Sequence, residues 1–154
     1  KENGNVFIFG SEYEGGGAGL VSTVDDYMKF LEALRTHKLL KVETLKLMMT
    51  DRLTEWQKRT YWTQATHGYG LGVRCPKGDK QYTDFGWGGA ACAYLAIDTK
   101  NEISIYFGAH LLSSPAQGLR SILYRFIRAE LIDRGELDSL YKDLKELHNY
   151  NLTY

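Results

Sequence analysis

The sequence is poor in several features that define large classes of protein. Only two of its 154 residues are cysteines, too few for a disulfide framework or for a zinc site made of cysteine alone. Because 19 Lys and Arg balance 19 Asp and Glu, charge gives no argument for nucleic acid or an anionic membrane surface as a partner. No apolar run approaches the roughly 20 residues that a membrane span needs. The sequence leaves open whether Cys75 and Cys92 form one disulfide bond with each other.

What is present fits a folded globular protein: 44% of residues are hydrophobic, 25% charged and 13% aromatic. A chain of this size buries about 68–70% of the surface that its unfolded state exposes, enough for one core. Residue 1 is Lys rather than Met, and no basic start followed by an apolar stretch marks a signal peptide. We therefore expect residues 1–154 to be a single partial domain, one piece of a larger protein.

The N-terminal half predicts one short strand followed by two helices. The apolar run Val6–Phe9 is typical of a strand. Either Ser22 or Thr23 can cap the first helix, because an acidic residue follows three positions after each hydroxyl. The apolar spacing continues this helix to about residues 37–38. A second helix is predicted over Val42–Met49, and residues 50–66 are predicted to be a loop that can include one helical turn.

The C-terminal half predicts antiparallel strands and then two helices. The clearest strands are Ala91–Ile97 and Glu102–Ala109, joined as a hairpin. Shorter strands at Tyr69–Val73 and Gln81–Phe85 flank a predicted turn at Cys75–Asp79. One helix follows Pro115, and an extra helix follows Gly135, over residues 136–154. This order indicates an α+β fold, an antiparallel sheet flanked by helices.

Residues that could carry chemistry do not form a complete catalytic set. No histidine has a partner at metal-ligand spacing, so we predict no metal site; the four are His37, His67, His110 and His148. Ser113, His110 and Asp84 supply the residue types of a Ser-His-Asp triad, but the chain lacks a Gly-x-Ser-x-Gly elbow. The sequence therefore gives these three residues no support as a triad.

Two short motifs are also too weak to assign a function. The glycine cluster Gly15–Gly19 lacks the Gly-Lys-Ser/Thr end of a phosphate-binding loop, so no nucleotide cofactor is predicted. Ser139 and Lys142 have Ser-x-x-Lys spacing, in which the lysine can take the proton of a serine nucleophile. Both residues lie in the middle of the predicted last helix and flank its apolar face. Because such short motifs recur by chance, this spacing does not indicate a catalytic site.

Three segments, taken in order, resemble the serine β-lactamase-like hydrolases, the group of class C β-lactamases, DD-peptidases and related esterases. Glu14–Tyr27 (EGGGAGLVSTVDDY) resembles their GGGGLVST..D segment. Gly68–Gly72 (GYGLG) is similar to their GYGLG strand, and Phe85–Ala91 (FGWGGAA) to their FG(H/K)TG strand. The resemblance covers roughly Tyr13 to His110 and implies the C-terminal part of the β-lactamase/transpeptidase-like fold.

The resemblance also implies that the nucleophile is absent from this chain. In the family, the Ser-x-x-Lys and Tyr-x-Asn motifs precede the glycine segment, and neither occurs before Gly15 here. Ser139 cannot replace the nucleophile, because it follows every landmark. No catalytic residue is therefore assigned, and the isolated chain is expected to be inactive because it lacks nucleophile and base.

What the resemblance carries over is the substrate and oxyanion strand. Trp87, Gly88 and Gly89 match the family's Lys-Thr-Gly triplet, and the N–H of Ala90 matches a donor of the oxyanion hole. Trp87 replaces the cation that pairs with a substrate carboxylate. This departure favours an ester or amide substrate over a β-lactam or a peptide with a free carboxylate, unless Trp87 is only a packing residue.

Two hypotheses follow. In the first, the full-length protein forms and hydrolyses an acyl-enzyme on a small-molecule or peptide substrate, an ester, amide or β-lactam, without metal or cofactor. In the second, the same half-fold is a non-catalytic module that binds a peptide, a glycan or a protein through the strand near Trp87. In either case the partial sheet has an open edge, so we expect a homodimer or complementation by another piece.

Overall fold

The computed structural model describes residues 15–16, 20–60, 67–77, 83–109, 119–131, 142 and 145. Its elements in chain order are α1 (Val24–Arg35), α2 (Val42–Met48), α3 (Glu55–Thr60), β1 (His67–Tyr69), β2 (Arg74–Pro76), β3 (Phe85–Gly88), β4 (Tyr94–Asp98), β5 (Ile103–Phe107) and α4 (Leu119–Leu131). The predicted strand at Val6–Phe9 lies outside the described residues. So does the predicted last helix, apart from Lys142 and Lys145, which are both helical.

The five strands among the described residues form one antiparallel sheet in the order β1-β2-β3-β4-β5, so each pairs with its neighbours in the sequence. The α+β prediction is confirmed. The β3–β4 ladder runs from Phe85↔Ile97 to Gly88↔Tyr94. The β2–β3 ladder has a single register pair, Arg74↔Gly86. Main-chain pairing therefore holds β3 more firmly to β4 than to β2.

Alternation along the strands places two hydrophobic clusters on opposite faces of the sheet. Leu31 of α1 and Leu45 of α2 pack in one cluster with Ile97 of β4. Ala96, the neighbour of Ile97, packs in the other cluster with Tyr124 of α4. Full burial of a leucine or isoleucine side chain stabilises a fold by about 1.5–3 kcal/mol. The result places α1 and α2 on one face of the sheet and α4 on the other.

Local signals set the bounds of α1. The Asp26 N–H donates to Thr23 Oγ1 at 3.1 Å, so Thr23 rather than Ser22 is the N-cap, one of the two caps that the sequence predicted. The helix ends at Arg35, where the Thr36 hydroxyl donates to the Glu32 carbonyl at 2.6 Å. His37 follows with a left-handed φ of 59°, which turns the chain out of the helix.

The segment after residue 66 differs from its predicted course. The strand predicted at Tyr69–Val73 ends at Tyr69, and the Gly70 N–H donates back to the Val73 carbonyl at 2.8 Å. A Cβ at Gly70 would lie 2.0 Å from the Met48 carbonyl oxygen, so the close approach of α2 requires glycine here. Cys75, predicted in a turn, lies in β2.

The β4–β5 hairpin is closed by Asp98, which is fully buried. Its Oδ1 accepts from the N–H groups of Lys100 and Asn101 at 3.0 Å each. Its Oδ2 accepts from the Thr83 hydroxyl before β3 and, at 3.4 Å, from Tyr124 Oη on α4. One carboxylate thus ties the hairpin turn to the start of β3 and to the covering helix.

None of the helices that the structure describes is long and apolar enough to cross a membrane.

Candidate active site

The predicted substrate strand is the C-terminal end of β3 and the turn that follows it. Trp87 is 38% exposed, Gly88 and Gly89 are half-buried, and Ala90 is exposed. A Cβ at Gly89 would make only an ordinary contact, 3.6 Å from the Ala93 Cβ, so glycine is not required there for packing. The main chain of this segment therefore lies at the surface, where a substrate can approach it.

The turn that carries Ala90 has a defined geometry. The Gly89 N–H donates to the Ala93 carbonyl at 2.8 Å, and the Cys92 N–H donates to the Gly89 carbonyl at 3.1 Å. Cys92 closes this three-residue loop with a left-handed φ of 68°, a conformation that non-glycine residues seldom adopt. The loop holds Ala90 at a fixed place directly beyond β3. That its N–H is an oxyanion donor stays a prediction.

Trp87 has two environments. Its ring meets the ring of Tyr69 edge-on, with centroids 5.4 Å apart and planes at 74°, a favourable aromatic geometry. The part of the Trp87 ring that faces Tyr69 therefore has the packing role that the sequence left as an alternative. The exposed remainder of the ring leaves an aromatic surface beside Gly88.

Behind this strand lies a buried polar cluster, which we call the Arg74 network: His67, Arg74, Asp84 and Tyr94. Arg74 Nη1 donates to Asp84 Oδ2 and lies 3.0 Å from His67 Nε2, which in turn is 3.4 Å from Asp84 Oδ1. Arg74 Nη2 donates to Tyr94 Oη at 2.6 Å and to the Leu95 carbonyl at 3.3 Å. Strands β1, β2 and β4 and the residue before β3 all contribute to it.

Electrostatics within the network favour an ionised Asp84. Burial raises the pKa of this carboxyl group, but the hydrogen bond with His67 and the charge of Arg74 outweigh burial, so the pKa lies below its ordinary value. Burial raises the pKa of the Cys75 thiol to about 11. Cys75 is therefore a neutral thiol at physiological pH and a poor nucleophile.

The sequence singled out His67 and Asp84 but not their partners. The sequence groups Asp84 with His110 and Ser113, which lie outside the described residues, whereas the structure pairs it with His67 and Arg74. Arg74 was missed, although it alternates with the apolar Val73 and Cys75. Across the ranges that the structure describes, no group of three or more His, Cys, Asp or Glu is placed to hold a metal ion.

Comparison with known proteins gives a family and two relatives. The family model described as Beta-lactamase matches residues 2–128. Over 110 residues the chain is 30% identical to an uncharacterized protein, MT1414, of Mycobacterium tuberculosis strain CDC 1551 and to Protein Rv1367c of strain H37Rv. Each alignment covers 59% of this chain and 27% of the relative. The match thus takes in little more than a quarter of either relative's length.

Proposed function

Because the chain belongs to the Beta-lactamase family, we propose that it supplies the C-terminal, substrate-strand part of a serine hydrolase with a preference for esters. The nucleophilic serine and its base come from another part of the full-length protein. The serine oxygen attacks the acyl carbonyl while its proton passes to the base, and the alcohol or amine leaves. Water then hydrolyses the acyl-enzyme and regenerates the serine. The isolated chain has no activity of its own.

The observation that carries this proposal is the accessible main chain of Gly88 and Gly89 at the end of β3. In acyl transfer the carbonyl oxygen gains negative charge, and a backbone N–H fixed beside it stabilises that charge. The hairpin hydrogen bonds of Gly89 fix the turn that carries Ala90, which supports the proposal that the Ala90 N–H is this donor. Removing one such donor from an enzyme costs roughly 10²–10³ in kcat.

The chemistry at Trp87 favours a neutral substrate. An exposed indole ring, steadied by Tyr69, offers an apolar surface and no positive charge. A substrate carboxylate placed against it loses water without gaining an ionic partner. Esters and amides without a nearby carboxylate avoid this cost, which is why we propose them ahead of β-lactams.

The experiment uses the full-length protein with p-nitrophenyl acetate, a chromogenic cephalosporin and a fluorophosphonate probe that labels active serines. We expect labelling and ester hydrolysis, with much slower cephalosporin turnover. The change Trp87→Lys should raise the kcat/KM ratio of cephalosporin to ester roughly tenfold, because a hydrogen bond to a charged group contributes about 1.5–3 kcal/mol. Steady-state kinetics measure this ratio.

Trp56→Lys is the matched control, since Trp56 is a tryptophan on α3 that is 66% exposed. It should leave the ratio unchanged. An unlabelled, inactive protein would contradict the proposal and favour the non-catalytic module that binds through the same strand. Equal shifts in both variants would show that Trp87 does not contact the substrate.

We also propose that the isolated chain self-associates or accepts a complementary piece through its open sheet. Within the described part, β1 and β5 are the outer strands, and the edge of an outer strand is a template for further pairing. Light scattering of the isolated chain should give a mass above that of the 17.6 kDa monomer. A monodisperse monomer at all concentrations would contradict this.

A further inference from the structure

We propose that Arg74 is a positioning residue for β3: its buried guanidinium fixes the Trp87–Gly89 segment against the sheet and so sets the place of the proposed oxyanion donor. This inference rests on the proposed function for its catalytic consequence. Its structural half, that Arg74 holds β3 in place, stands on contacts that do not depend on that function.

The first step is the position of Arg74 in the sheet. It lies opposite Gly86, and this is the one register pair between β2 and β3. A Cβ at Gly86 would lie 2.2 Å from the Leu95 carbonyl oxygen. Arg74 Nη2 reaches that same oxygen at 3.3 Å. Because Gly86 has no side chain, the guanidinium can extend across β3 and bond to β4 directly.

The second step is what the guanidinium holds. Its bond to Asp84 fixes the residue directly before β3. Its bonds to Tyr94 and Leu95 fix the β4 residues that stand opposite Gly88 and Trp87 in the ladder. The guanidinium also lies over the Tyr94 ring, 4.9 Å from its centroid, a cation–π contact. A single side chain of β2 thus bonds both to the residue that leads into the substrate strand and to β4 on the far side of that strand.

The third step is why β3 needs this support. The β2–β3 ladder is short, so main-chain hydrogen bonds alone give little resistance to movement between the two strands. The β1–β2 hairpin carries Tyr69, which contacts Trp87. Without the Arg74 side chain, only this short main-chain pairing and the Tyr69–Trp87 contact join β3 to the β1–β2 hairpin. A displacement of about 1 Å at a catalytic group is enough to cost a reaction roughly 10²-fold.

The test compares three variants of the full-length protein. Arg74→Met removes the hydrogen bonds, and Arg74→Lys keeps the charge but loses the planar fork that bonds several partners at once. Arg35→Met is the matched control, because Arg35 bonds to Glu32 within α1. Two quantities are measured: amide hydrogen exchange of β3 and of α1, and kcat and KM per active site titrated with the fluorophosphonate.

For Arg74→Met we expect β3 amides to exchange at least about tenfold faster, with α1 unchanged. We expect kcat per titrated site to fall about 10–100-fold with KM within about threefold. Arg74→Lys should recover part of the loss, and Arg35→Met should leave both β3 exchange and kcat per titrated site unchanged. Titration removes inactive molecules from the count, so a purely structural role would leave kcat per site unchanged.

Should Arg74→Met fail to fold, Tyr94→Phe removes one hydrogen bond and keeps the ring, and it should shift both quantities in the same direction by less. Unchanged β3 exchange in the folded variant overturns the inference, as does unchanged kcat per site in an active enzyme. A wild-type protein with no serine labelling defeats the proposed function instead. In that case the exchange measurement alone decides whether Arg74 positions β3.

Discussion

Replacing Asp84 by asparagine is expected to lower the free energy of unfolding by about 3–5 kcal/mol. Asp84 is fully buried, and its carboxylate accepts from the buried guanidinium of Arg74. Asparagine has nearly the same shape but no charge, so the variant leaves the positive charge of Arg74 in the interior without compensation. Urea unfolding followed by circular dichroism at pH 7 measures the loss.

The pH dependence of this loss in stability provides a second test of the prediction. The pKa of Asp84 lies below its ordinary value of 3.8, so its contribution is complete above that value and disappears as the pH falls through the lower, folded-state pKa. The stability difference between wild type and variant should therefore shrink only in acid, below about pH 4. A difference that stays constant from pH 7 to pH 3 would contradict an ionised Asp84.

Asp26→Asn is the control for the same chemical change at the surface. Asp26 pairs with Lys29 on α1, and both side chains are mainly exposed. Exposed pairs contribute about 0–1 kcal/mol, so this variant should unfold close to the wild type. Equal losses at both positions would show that the cost at Asp84 does not arise from burial.

Replacing Gly86 by alanine is expected to destabilise the protein by about 3 kcal/mol, the upper part of the range for overpacked interiors. The new Cβ would lie 2.2 Å from the Leu95 carbonyl oxygen and 2.9 Å from its carbonyl carbon. Both are main-chain atoms of β4, and the ladder on either side of Gly86 prevents β3 from moving away. Chemical denaturation monitored by tryptophan fluorescence gives the value.

Gly89→Ala is the matched variant three residues further on. Its Cβ would meet the Ala93 Cβ at an ordinary 3.6 Å, so the free energy of unfolding should change by less than about 1 kcal/mol. Under the proposed function, the same methyl group obstructs substrate at the end of β3, so activity should fall while stability is kept. Similar stability for the two alanine variants would contradict the strand packing described above.

The elements that were predictable are those decided by neighbouring residues. Thr23 caps α1 through an N–H three positions along the chain, and the β4–β5 hairpin follows from alternation on both sides of a polar turn. The turn after Tyr69 was not predictable in this way. Gly70 leaves the strand because the Met48 carbonyl of α2 approaches it, and periodicity carries no information about such a distant neighbour.

The candidate site likewise has a part set by neighbouring residues and a part set by distant ones. Trp87, Gly88 and Gly89 are contiguous, so the resemblance of one short segment to the family's strand was enough to propose them. The Arg74 network depends on the register that sets Arg74 opposite Gly86, and on Asp84 and Tyr94 coming from two other segments. An arginine between apolar residues is compatible with an exposed strand face as well as with a buried ion pair. Only the strand register decides between them.

The order of the strands has a consequence for how fast this sheet can assemble. Every ladder among the described strands joins strands that follow one another in the chain, so each closes a short loop and the entropy of closure is small. The β3–β5 meander needs only two tight turns. Pairing of β2 with β3 also requires the guanidinium of Arg74 to lose its hydration water before it can bond to Asp84. We therefore expect the meander to form first and the β1–β2 hairpin to dock last.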